Sequence, residues 1–118
     1  MFKKFLRELV ESVDGAIGSV IMGMDGISVE EYCQRPDADI QMIGTELSAV
    51  LKEMNRASRA MEDDTLGEAM MITDKLKVIV RKINEEYFWV LALNGNGNLG
   101  KGRFKLRVLV PKLANEFE

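Results

Sequence analysis

Over the first dozen residues apolar side chains recur every three or four positions. Phe2, Phe5, Leu6, Leu9, Val10 and Val13 are separated by Lys3, Lys4, Arg7, Glu8 and Glu11, a spacing that predicts an amphipathic helix, and Gly15 stands where it would stop. Arg7 and Glu8 interrupt any apolar run of signal-peptide length, so this end reads as a docked helix rather than a secretion signal or membrane-surface anchor. AIGSVIMGM (16–24) carries Ile and Val on both parities, as a strand covered on both faces does. Asp25-Gly26 is a hairpin turn signal, and ISVEEY (27–32) puts Ile27 and Val29 on one face and Ser28 and Glu30 on the other, suiting a returning edge strand. The polar connector CQRPDAD (33–39) offers Asp37 or Asp39 as a helix cap.

A long second helix is predicted from about Ile40 to Met61. At about 100° per residue, Ile40, Ile43, Gly44, Leu47, Val50, Leu51, Met54 and Met61 fall in one arc, a stripe expected to lie on a sheet. The reverse side divides in two: Met42, Ala49, Ala57 and Ala60 with Glu46 and Glu53, and beside them Lys52, Arg56 and Arg59. Small residues on a second flank permit another helix to approach closely, although alanines also fill helices by propensity and cations also solvate a free face. MEDDTLG (61–67) ends this helix. GEAMMIT (67–73), KLKVIVRKI (75–83) and YFWVLALN (87–94) then read as three strands whose short connections allow only hairpins, hence an antiparallel meander. A final helix spans about Leu99 to Phe117, with Leu99, Leu106, Leu109, Val110, Leu113 and Phe117 toward the core and Pro111 expected to kink it or interrupt its bonding near Arg107. The order αββαβββα predicts one α+β domain over residues 1–118: a five-stranded antiparallel sheet, the long second helix on one face, and the first and last helices on the other.

Composition narrows the chemistry. The 118 residues carry a net charge of −3, which offers no field for nucleic acid, and no segment nears the roughly 18 apolar residues of a membrane span. Histidine is absent and Cys33 is the one cysteine, which excludes a Cys–His dyad, thiolate zinc cages and internal disulfides and fits a reducing, cytoplasmic compartment. The carboxylate pairs Glu30-Glu31, Asp63-Asp64 and Glu85-Glu86 are adjacent in strands or turns, so none makes an acid–base pair. The eight methionines read as core and interface filler. No cofactor or metal is predicted.

The glycine-rich loop NGNGNLGKGR (94–103) raises a sharper possibility, since Gly95 to Lys101 satisfies G-x-x-x-x-G-K and Gly95 to Gly100 satisfies G-x-G-x-x-G. Gly102 replaces the magnesium-binding hydroxyl, however, and the preceding strand belongs to an antiparallel meander with no later strand to carry a metal-binding Asp. The loop is therefore expected to be a turn and helix start whose Asn and Gly residues supply positive-φ positions.

The order αββαβββα, the long second helix ending in MEDDTLGEAMM, and FWVLALNGNGNLGKGRFKLRVLVPKL together resemble the Roadblock/dynein light-chain domain family over essentially the whole chain. The similarity is greatest to its bacterial branch that regulates Ras-like polarity GTPases in gliding motility. That resemblance implies a homodimer whose third strands pair into a ten-stranded sheet while the second helices lie side by side. The dimer interface would then draw on Met42, Glu46, Ala49, Glu53, Ala57 and Ala60 with Met70 and Met71, and the otherwise unprotected edge of GEAMMIT supports this independently. It also implies that the paired helices bind a Ras-like small GTPase, at positions matching Gln41, Thr45, Lys52, Arg56 and Arg59. Such a protein regulates without an active site of its own, either by stabilising the partner's catalytic loops or by inserting Arg56 or Arg59. The alternative is a non-catalytic interaction or scaffold module of a motor or signalling complex.

Overall fold

A computed structural model describes residues 2–62 and 66–117; the Asp63-Asp64 pair lies outside them. The element order is α1 (Phe2–Glu11), β1 (Ala16–Gly23), β2 (Ser28–Cys33), α2 (Ile40–Ala60), β3 (Glu68–Ile72), β4 (Leu76–Lys82), β5 (Tyr87–Asn94) and α3 (Leu99–Ala114), followed by a 3-10 turn (Asn115–Phe117). The five strands form one antiparallel sheet in the order β2-β1-β5-β4-β3. The β1–β2 hairpin and the β3–β4–β5 meander form as the turn signal and the short connections predicted.

The strands at the centre have apolar side chains on both parities because both faces are covered. On one face Ile21, Ile79, Trp89, Leu91 and Leu93 meet Leu6, Leu9 and Val10 of α1 and Leu106, Leu109 and Leu113 of α3. On the other, Val20, Met22, Val78, Val80, Phe88 and Val90 meet Ile40, Leu47 and Leu51 of α2. Asp39 starts α2, its carboxylate accepting from Met42 N at 3.0 Å. Gly44 lets this helix settle on β1: a Cβ there would lie 2.8 Å from the Met22 methyl carbon.

The structure departs from three expectations. Val50, Met54 and Met61, predicted to face the sheet, are exposed at 51%, 38% and 74%, while Ser48 on the other margin is buried. The helix is rolled toward β2, and the roll costs little because Ser48 Oγ donates to Thr45 O at 2.7 Å. The glycine loop uses no positive φ between 94 and 98; the glycines with positive φ are Gly15 and Gly26. The loop's glycines serve close approach instead, since a Cβ on Gly95 would lie 2.5 Å from Asp74 O and one on Gly97 would lie 2.6 Å from Leu93 Cβ. Finally, α3 runs past Pro111 to Ala114 before tightening into the 3-10 turn, whose Phe117 stacks between Phe2 and Tyr87 at centroid distances of 4.7 and 4.6 Å.

Candidate functional site

The roll of α2 gives its two exposed flanks different characters. Toward β2, Gln41 Nε2 donates to Ser28 Oγ at 3.3 Å, and Thr45 Oγ1 donates back to Gln41 O at 3.0 Å. Helical spacing sets Gln41, Thr45, Lys52, Arg56 and Arg59 on one polar, cationic flank, all five of the residues singled out as partner-binding, and these bonds fix the Gln41 end of it beside β2. Arg56 Nε donates to Glu53 Oε2 at 3.2 Å, an exposed pair one turn apart. Arg59 reaches toward the β4–β5 turn, where Glu85 is held below the usual carboxylate range by its hydrogen bond from Lys82, with the charge of Arg59 adding to the effect.

The opposite flank is apolar. Val50, Met54 and Met61, with half-buried Ala57 and Ile43, lie on the side of α2 away from Gln41, above the sheet face that α2 covers. Met71 projects from that same sheet face, opposite Val78, whereas Met70 lies opposite Ile79 on the face of α1 and α3. Met42, Glu46, Ala49, Glu53 and Ala60 form the outermost ridge between the two flanks. The predicted dimer set is thus divided among the ridge, the apolar flank (Ala57) and both sides of the β3 edge. Sequence reasoning missed Val50, Met54 and Met61 as surface residues. Their position at one margin of the apolar arc was the available signal, since a helix lying on a sheet buries the centre of its stripe first.

The glycine loop is closed by its own bonds. Asn98 caps α3 by accepting from Lys101 N at 3.1 Å, Asn94 Oδ1 accepts from Asn96 N at 2.9 Å, Asn98 N donates to Asp14 O, and Gly97 N donates to Asn94 O. The amides of Asn96, Gly97, Asn98 and Lys101 are thus engaged in making the turn and the helix cap, as expected for a structural loop. Among the described residues no group of three or more Cys, Asp or Glu is placed to hold a metal ion, and no helix is long and apolar enough to cross a membrane.

No family sequence model matches the chain, and no curated protein matches it in sequence. Solved structures do. MglC from Myxococcus xanthus is 33% identical, with 98% of each chain covered and a TM-score of 0.71. A Roadblock/LC7 domain from Streptomyces avermitilis superposes with a TM-score of 0.85 over 97% of this chain and 95% of its own, at 13% identity. The gliding protein MglB from Thermus thermophilus gives 0.86 over 96% of this chain and 85% of its own, at 15% identity, a likeness of fold alone.

Proposed function

The chain belongs to the Roadblock/LC7 domain family, and from that premise we propose that it acts as a dimeric regulator of a Ras-like small GTPase in the cytoplasm, serving cell polarity or motility. The observation that carries this reading is that α2 keeps two accessible flanks of unlike chemistry, one apolar and one polar and cationic. The apolar flank, with Ala57, the ridge residues and the β3 edge at Met70 and Met71, suits a twin: burying a Val or Met side chain stabilises an interface by about 1.5–3 kcal/mol. Pairing of two β3 edges would make one ten-stranded sheet and set two α2 helices side by side. The cationic flanks, bearing Gln41, Thr45, Lys52, Arg56 and Arg59, would then form a platform for the GTPase, whose switch loops carry the nucleotide's charge.

Regulation by such a platform stimulates hydrolysis by positioning the partner's own catalytic loops. The engagement of Arg56 with Glu53 on its own helix argues for positioning over insertion into the nucleotide site. The same observation favours, as a second reading, a docking module that leaves hydrolysis unchanged. Single-turnover GTP hydrolysis by a Ras-like GTPase encoded beside this chain distinguishes the two. Acceleration by about a hundredfold is expected, of the order that preorganised electrostatics supplies. No acceleration at saturating protein, with equal binding to the GDP and GTP forms, would establish the docking module instead.

A further inference from the structure

The face of the sheet opposite α2 carries a feature that the GTPase reading leaves unused. Lys101, Arg103, Lys105, Arg107 and Lys112 are the charged residues of α3, and none is acidic, in a chain whose net charge is −3. Lys105 is paired with Glu8 at 3.9 Å on the α1 side. On the other side a notch opens between α3 and the β3–β4 ribbon, lined by Glu68, Arg81, Gly100, Arg103, Phe104 and Arg107. One carboxylate serves two guanidinium groups there: Glu68 accepts from Arg103 Nε at 2.7 Å and Nη2 at 3.3 Å and from Arg81 Nη1 at 3.0 Å. Arg107 makes no ion pair among the described residues, so the notch holds an excess of two positive charges. Its rim is apolar, with Phe104 and Val108 exposed on α3 and Met70 and Ile72 exposed on the same side of β3.

We infer that this notch is a second docking site, which receives an acidic segment of a partner protein by seating an Asp or Glu side chain against Arg103 and Arg107 while a neighbouring apolar side chain lies on Phe104. The choice of occupant follows from charge complementarity and shape. Guanidinium groups have paired donors that match a carboxylate, and the vacant donors here lie in a recess. Glu68 holds Arg81 and Arg103 beside Phe104, so that charged and apolar groups lie within reach of neighbouring side chains of one segment. The hydrogen bond from Arg103 holds Glu68 below the usual carboxylate range, so the carboxylate that organises the recess stays ionised at neutral pH. Pairing at the β3 edge would run in the plane of the sheet and leave the notch open above it. The site lies across the sheet from α2 and stands independently of the GTPase reading; with both sites filled, the chain bridges two partners.

A library of random peptides, long enough for four helical turns, tests this by selection against the full chain in parallel with Arg107→Glu and with Arg56→Glu on the opposite face. The expected result is a peptide class that combines Asp or Glu with aliphatic or aromatic residues. Wild-type protein and Arg56→Glu retain it, Arg107→Glu binds it at least about tenfold more weakly, and its affinity falls as salt rises. Failure to recover such a class, or equal binding by Arg107→Glu, overturns the inference. Cosedimentation with phosphatidylserine vesicles that Arg107→Glu abolishes, in a chain that selects no acidic peptide, overturns it in favour of a membrane surface. Arg107 is exposed and outside every ion pair named above, and far-UV circular dichroism checks that its charge reversal leaves the fold intact.

Discussion

The two edges of the sheet are finished in opposite ways. At the β2 edge the register shifts between Ile21 and Met22, Glu30 and Glu31 stand in the strand, and Lys3 of α1 pairs with Glu30 at 3.7 Å. Glu31 N, which faces outward, is taken by the Glu30 carboxylate at 3.2 Å, and Tyr32 Oη donates to Glu11 Oε2 at 2.9 Å, tying α1 along the edge. Charge, an irregular register and a covering helix are the devices that keep an edge from pairing. The β3 edge has none of them beyond Glu68 at its start. Met70, Met71 and Ile72 follow, exposed at 45%, 45% and 58%. The contrast teaches that one edge is built to end the sheet and the other to continue it.

The most damaging way to break this contrast is a proline. Thr73 N donates to Leu76 O at 2.8 Å and Lys82 N to Gly67 O at 2.9 Å, so odd-numbered residues of β3 bond to β4 and the Met70 amide points outward. Met70→Pro is expected to spare the protomer's own ladder while weakening self-association by about a hundredfold or more. Light scattering should then find a 13.3 kDa monomer with an unchanged circular dichroism spectrum. The matched change at the other edge, Glu31→Pro, should leave the mass as it was. Loss of association in both, or in neither, would remove the distinction between the edges.

A smaller effect is expected from the apolar flank of α2. Met54→Glu places a charge where the dimer reading needs apolar contact, and it should weaken association roughly tenfold. Since Met54 is exposed in the protomer, urea unfolding should move by no more than about 0.5 kcal/mol. An unchanged dimer would show that the twin does not use this flank.

The smallest effect concerns what anchors β3 to α3. The bond from Arg103 lowers the pKa of Glu68 in the folded chain. The stability it contributes is therefore fully present above the ordinary glutamate pKa and lost as pH falls through the depressed folded value. Glu68→Gln should cost about 1 kcal/mol at neutral pH after allowance for solvent screening of the half-exposed Arg103. The difference from wild type should vanish in acid, as read by urea titrations across pH. A pH-independent difference would mean that Glu68 contributes packing rather than charge.

Periodicity carried most of the architecture. The three-to-four spacing of Leu6, Leu9 and Val10, and the two-sided apolar strands around Val90 and Ile21, leave few ways to bury these side chains, and the element order follows. The cationic flank of α2 was legible for the same reason, because helical spacing alone places Gln41, Thr45, Lys52, Arg56 and Arg59 on one side. The roll of that helix was not legible. It depends on Gln41 meeting Ser28 and on Ser48 being satisfied by Thr45, a contact between elements in one case and a burial decision in the other. The Glu68–Arg81–Arg103 cluster joins residues 13 and 35 positions apart, and no local pattern announces it.

The chain's own pattern thus determined which segments are helices and strands and which faces of them are apolar, because those follow from repeat lengths of about 3.6 and 2 residues. Only the tertiary structure decided how α2 sits over β1 and β2, which methionines remain in solvent, and which arginines share a carboxylate. Those outcomes turn on shape and on polar groups finding partners across long stretches of chain, and neither leaves a period in the sequence.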